Sequence, residues 1–416
     1  MKRLFFIFGL CASGLSSIAQ QPLTIEDCYS QGQENYPLVK QRDLITKSNG
    51  YSIENASKGY FPQLSINGQA TYQSDVTEFT ARPDGPTLID KDQYRIYGEV
   101  NQTLYDGGLI KTQKRAIETN TLVEDQRLEV ELYKLKERIN QLYFGILMVD
   151  EQLIQTEILK KDIQAGLAKT NAAIANGTAL KSSGDALQAE LLKTDQHAIE
   201  LKSARTSYRD MLGLFINKTL DETITFVKPL HSNVSETMNR PELRLFEYQK
   251  KSLDIQNEFI SAKSRPRFGL FLQAGGGKQV LNILNNDFDT YYVGGVKMTW
   301  SLAGLYTNKN ERAIIDLNRN VLDLQQETFL FNTNLTLKQQ NAEVTKLQEL
   351  IKKDVEIITL RTRIKSTALV QFENGVINSN DYLREANAED QARQNQALHE
   401  IQLLLTYYTQ QNTSGN

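Results

Sequence analysis

Histidine is scarce, three residues in 416, and cysteine occurs only twice. His197, His231 and His399 are far apart, with no His-Glu-x-x-His or Cys/His spacing, which excludes the usual zinc-site patterns. Cys11 lies in an apolar leader, so removal of that leader leaves Cys28 alone. No intramolecular disulfide is then possible, and Cys28 reads as a small apolar residue on an amphipathic helix. Charge of one sign is also lacking. Lys and Arg number 47 against 50 Asp and Glu, a net charge of −3, which argues against a nucleic-acid partner. Beyond the leader no run approaches the 18 or so apolar residues of a spanning helix, and mean hydropathy is −0.44. Any membrane role has to use strands. No Gly-x-Ser-x-Gly or nucleophile–base pair stands out, and neither an enzymatic activity nor a cofactor is expected. Gly275-Gly276-Gly277-Lys278 has the wrong spacing for a phosphate loop and marks a close backbone approach at a strand end. Proline is rare, eight residues, with none between Pro86 and Pro229 and none after Pro266. Two long tracts therefore lack the strongest helix breaker, and very long helices are permitted there.

What is present begins with an export signal. Met1-Lys2-Arg3 is a basic start, Leu4 to Leu15 is mostly apolar, and Ser17-Ile18-Ala19 places small residues where a signal peptidase reads. Residues 1–19 are read as a signal peptide cleaved after Ala19. The competing reading is a lipoprotein acylated at Cys11, with Leu10 larger than the small residue such a site normally needs.

The chain then repeats itself. Tyr36-Pro37 and Phe61-Pro62 return as Arg240-Pro241 and Arg265-Pro266, both at an offset of 204. Gly108-Leu109, Arg115-Ala116-Ile117 and Asn176-Gly177 return as Gly304-Leu305, Arg312-Ala313-Ile314 and Asn374-Gly375, at offsets of 196 to 198. Residues 23–215 and 240–411 are read as two structural repeats joined by a linker, 216–239. Within each repeat the order is helix, two strands, two helices. Leu64, Ile66, Gly68, Ala70 and Tyr72 alternate with Ser65, Asn67, Gln69, Thr71 and Gln73, the period of a strand. Strands are expected over about 63–75 and 92–106, then about 266–279 and 289–302. Asp84-Gly85 supports a turn in the first hairpin loop.

Helical hairpins are expected over 108–214 and 304–410. From Gly108 to about Ala175 nothing stops a helix except isolated Gly145 and Gly166. Leu128, Leu132, Leu135, Ile139, Leu142, Ile146, Val149 and Leu153 form a heptad seam, less strictly echoed by Leu317, Val321, Leu324, Phe331, Leu335, Val344, Leu347 and Ile351. The Asn-Gly pairs at 176–177 and 374–375 read as helix stops and hairpin tips. Four strands with one apolar face cannot close by themselves, because open edges in a bilayer leave backbone groups unpaired. Two copies would give eight strands and a filled barrel, and three would give twelve and a lumen. The alternative is a periplasmic coiled-coil scaffold whose sheets pack on one another in water.

This order of elements resembles the TolC-like outer-membrane efflux proteins. So do the phrases Ala56-Ser57-Lys58-Gly59-Tyr60-Phe61-Pro62-Gln63-Leu64, Gln102-Thr103-Leu104-Tyr105-Asp106-Gly107-Gly108, and Asn374-Gly375-Val376-Ile377-Asn378-Ser379-Asn380-Asp381-Tyr382-Leu383. The resemblance implies a mainly α chain with a small β part. Its helical hairpins would form a periplasmic α-barrel, and its four strands would join a twelve-stranded trimeric transmembrane β-barrel. It further implies an outer-membrane exit duct of a tripartite efflux or type I secretion system, reaching into the periplasm. A periplasmic adaptor would couple that duct to an RND or ABC-type inner-membrane pump. Asn176, Gly177, Thr178, Ala179 and Leu180, with Asn374, Gly375, Val376, Ile377 and Asn378, match the tips that the adaptor contacts. Asp381 matches an acidic ring that narrows the closed tunnel, with Asp185 its counterpart in the first repeat. Arg384 stands where some members carry a second acidic residue, so a salt bridge to Arg384 or Asp381 alone would serve instead. By itself, Asp381 also reads as a helix-start carboxylate favoured by the helix dipole.

Overall fold

Thr24 opens the first helix with a capping box: its hydroxyl accepts from Asp27 N–H while the Asp27 carboxylate accepts from Thr24 N–H. In the computed structural model, which describes residues 22–76, 89–230, 237–282 and 286–416, eight α-helices and one four-stranded sheet follow. The signal peptide, Cys11, Asp84-Gly85 and His231 fall outside the described residues. The helices are α1 Ile25–Asn35, α2 Gln41–Ser57, α3 Leu109–Tyr133, α4 Leu135–Ala175, α5 Lys181–Ile216, α6 Pro241–Lys263, α7 Gly304–Glu373 and α8 Ser379–Ser414. The strands are β1 Gln63–Tyr72, β2 Asp92–Tyr105, β3 Arg267–Lys278 and β4 Phe288–Thr299.

Two compact units result, and each draws on both halves of the sequence. One comprises Met1–Tyr36, Lys134–Glu236 and Leu337–Thr413, and the other comprises Pro37–Tyr133, Thr237–Thr336 and Ser414–Asn416. In the first, the Tyr143 ring packs edge-on to Phe144 and Phe226. Its hydroxyl donates toward Val227 O at 2.7 Å and Leu23 O at 2.9 Å, closing the chain start onto the segment after α5. Cys28 is fully buried in this unit, and burial pushes its thiol up to about 12. It is inert packing rather than a nucleophile.

In the second unit α3 lies against α2 and α6, and Leu253 and Ile260 of α6 pack with Ile315 and Leu322 of α7. The sheet is an antiparallel meander in the order β1-β2-β3-β4, so β1 and β4 are its edges. Gly275 is required by the tightness of that meander. A Cβ there would lie 2.2 Å from Ile96 O on β2, which no side chain could accommodate.

The first long helix differs from the sequence expectation. Its hydrogen bonding is interrupted at Lys134, whereas the isolated Gly145 and Gly166 stay inside α4. No breaker residue stands at that point. Lys134 remains right-handed, at φ −63° and ψ −19°, while the neighbouring Tyr133 ring is held 4.9 Å from the Arg240 guanidinium. The early seam buries Leu128, Leu132, Leu135, Ile139, Ile146 and Val149. Of the corresponding α7 seam residues, by contrast, Leu317, Val321, Leu324, Phe331 and Leu335 are exposed, and Leu347 is the one that is buried.

Candidate functional site

Two surfaces have unusual chemistry, one in each unit. The first is the sheet. Pairing puts Leu64 opposite Val100, Val100 opposite Leu272 and Leu272 opposite Gly294, while Ile66, Gly98 and Ala274 continue the next row. Because side chains alternate along a strand, these residues share one face across all four strands. Leu64 is 80% exposed and Ile66 is 83% exposed, so this face has no cover among the described residues. On the opposite face Ser65, Glu99 and Gln273 pair in one row, and Gln69 and Arg95 in another, with the Arg95 side chain hydrogen-bonded to Gln69 at 2.8 Å. Exposed aromatics mark both ends of the sheet: Phe61, Tyr105 and Trp300 near the helices, and Tyr72 and Phe288 at the far end. A bulge between Thr103 and Tyr105 sets Tyr105 beside Phe268. Among the described residues no helix is long and apolar enough to cross a membrane.

The second surface is the pair of helix tips. Gly177 and Gly375 adopt φ of +73° and +69°. Around them Thr178 N–H donates to Ala173 O at 2.9 Å and Gly177 N–H to Ile174 O at 3.0 Å. Val376 N–H donates to Gln371 O at 2.8 Å and Gly375 N–H to Phe372 O at 3.1 Å. Both tips are thus the same glycine-closed turn, in which a left-handed residue lets two orphan carbonyls find donors. Asn176 and Asn374 precede these glycines, Thr178 and Ala179 follow the first, and Leu180 and Val376 are exposed apolar residues. Ile377 packs against the cluster of Ala368, Tyr382 and Ala386, and Tyr382 stacks on Phe372 with ring centroids 5.3 Å apart.

Asp381 belongs to the start of α8. The Asn378 side-chain oxygen accepts from Asn380 N–H at 2.9 Å and Asp381 N–H at 3.0 Å, and the Asp381 carboxylate reaches back to Asn378 N–H at 3.4 Å. That is a capping arrangement. Arg384 stands 3.9 Å from Asp381 but is closer to Glu385, at 3.0 Å. Asp185, on the second turn of α5, is exposed and has no ion pair among the described residues.

Further from the tip, α4, α5, α7 and α8 are joined by a polar belt that sequence reasoning missed. Lys160 pairs with Asp195 at 2.6 Å, and Asn387 donates to Glu190 at 3.0 Å. Lys365 pairs with Asp162 and, at 2.7 Å, with Glu389. Desolvation opposes ionisation of Glu389, yet hydrogen bonds from Lys365, Thr362 and Arg393 win and hold its carboxyl at about 2. Burial dominates one residue on, where it pushes Asp390 up to about 6. Nothing in sequence marks these residues among so many charged helix positions.

No family model matches the sequence, and no curated protein sequence is significantly similar to it. Solved structures are similar over nearly the whole chain. CusC, described in terms of folding and transmembrane channel formation, has a TM-score of 0.68 at 13% identity, covering 94% of this chain and 91% of its own. The outer membrane protein VceC of Vibrio cholerae gives 0.65 at 11%, covering 93% and 96%. The open-state MtrE outer membrane channel of Neisseria gonorrhoeae gives 0.66 at 14%, covering 94% and 89%. The chain has the outer-membrane channel fold. Its small β part and long helical hairpins correspond to the mainly α class expected from the sequence.

Proposed function

We propose that the protein is the outer-membrane exit duct of a tripartite efflux or type I secretion system. The observation that carries this reading is the uncovered apolar face, continuous in register across four strands and backed by a polar face. A soluble sandwich would cover such a face. In a bilayer, apolar-out alternation with aromatic ends is what a barrel wall requires. Both edges, β1 and β4, must then find partners, and β4 of one copy is antiparallel to β1 of the next in a continued meander. The uncovered apolar residues of α7 call for a neighbour as well. Head-to-tail contacts that close make a ring, and three copies supply the twelve strands that leave a lumen.

In this reading the helical hairpins extend into the periplasm. The tips at 176–180 and 374–378 dock a periplasmic adaptor, through which an RND or ABC-type pump supplies energy. The protein conducts passively and performs no catalysis. Asp381 and Arg384 are gate candidates, with Asp185 the corresponding position of the first repeat.

Light scattering and negative-stain imaging of the detergent-solubilised mature protein test this directly. A homotrimer that forms conducting pores in planar bilayers is the expected result. A monomer or dimer that leaves membranes in carbonate would overturn it and favour the periplasmic scaffold. For the gate, Asp381→Ala is expected to alter single-channel conductance or block by divalent cations, since converging carboxylates attract cations. Unchanged channels would leave Asp381 with its cap role alone.

A further inference from the structure

A groove between α7 and α8, close to the tip, is lined by two guanidiniums and two carboxylates, and one of the guanidiniums has no partner among the described residues. Its floor is apolar, made by Ile364, Ala368 and Ile377, and its volume is about 480 Å³. Arg363 and Arg384 line it, together with Asp381 and Glu385. Both carboxylates are already engaged. Glu385 is shared by Arg384 at 3.0 Å and Arg361 at 3.3 Å, and Asp381 is drawn to the α8 start. Arg363 is exposed, and its side chain has no ion pair or hydrogen bond among the described residues. Of the two guanidiniums that line the groove, Arg384 is paired with Glu385 and Arg363 is not paired.

We propose that this groove binds an amphipathic organic anion, its apolar body on the Ile364, Ala368 and Ile377 floor and its sulfonate or carboxylate toward Arg363 and Arg384. A planar guanidinium offers paired donors that fit such oxyanions, and it is weakly hydrated, so little is lost on contact. Binding at Arg363 breaks no existing pair. A neutral molecule of the same shape gains the floor alone. That the anion is cargo in transit rests on the duct reading, whereas binding itself does not.

The test uses the full mature protein held in amphipol, titrated calorimetrically with naphthalene-1-sulfonate and with uncharged 1-naphthylmethanol. The sulfonate is expected to bind about tenfold or more tightly than the alcohol, and to weaken as salt is raised. Arg363→Gln removes no ion pair or side-chain hydrogen bond among the described residues, so folding is expected to be retained. It is expected to weaken sulfonate binding by about tenfold, with the alcohol unaffected and Arg363→Lys intermediate. Equal affinities for the two probes, or unchanged sulfonate binding in Arg363→Gln, would overturn the site. Conductance of the same preparation in bilayers separates the two ideas. Pores without sulfonate binding remove the groove and keep the duct, and sulfonate binding without pores keeps the groove and removes the duct.

Discussion

Leu272→Arg is expected to abolish outer-membrane assembly, while Gln273→Arg, one residue away, is expected to be tolerated. Leu272 stands between Val100 and Gly294 in the middle of the sheet, on its apolar face. An arginine facing lipid near the bilayer midplane costs about 2–4 kcal/mol per copy. In a homotrimer that penalty is incurred three times, and no neighbour on that face offers a carboxylate. Gln273 points the other way and pairs with Glu99, so an arginine there gains an opposite charge across the strands. The measurement is the heat-modifiable, detergent-resistant oligomer in outer-membrane fractions of the two variants. Equal assembly of both would mean that the exposed apolar face does not meet lipid.

Glu389→Ala is expected to loosen the helices behind the tip. The Glu389 side chain is 5% exposed and receives Lys365 at 2.7 Å, Thr362 at 2.7 Å and Arg393 at 2.7 Å. Removing one member of a buried pair strands the other, at about 3–5 kcal/mol. The low end applies, because Asp162 still faces Lys365. A loss of about 3 kcal/mol raises local opening roughly a hundredfold, readable as faster amide exchange in α7 and α8 around 362–393. The pH dependence has a defined sign. The Glu389 carboxyl is held below its ordinary 4.5, at about 2. Its stabilisation is therefore complete above pH 4.5 and is lost as pH falls through about 2. Wild-type protection should decline across that window, and Glu389→Gln should flatten its share of the decline. Exchange unchanged at neutral pH in Glu389→Ala would show that the belt carries no stability.

Much of the architecture was legible because its signals are local. The alternation from Leu64 to Tyr72 reappears as a one-sided apolar face because a period of two admits only one assignment of faces. The turns at Asn176-Gly177 and Asn374-Gly375 were legible because a left-handed residue after a helix favours glycine. Arg384 lies within reach of Asp381 by helical spacing alone, yet its nearer partner is Glu385, which only side-chain placement could decide. The interruption at Lys134 was not legible, since no residue there breaks a helix.

The sequence by itself determined the element types and their order, because proline scarcity, period and turn chemistry act on neighbouring residues. It also made strands the only means of crossing a bilayer. Tertiary structure alone decided which charges matter. Lys365 and Glu389 are 24 positions apart and look like any other helix charges in sequence. They become a buried pair only when α7 and α8 lie side by side, where desolvation makes each depend on the other. Arg363 is distinguished in the same way, as the guanidinium that the folded tip leaves without a carboxylate.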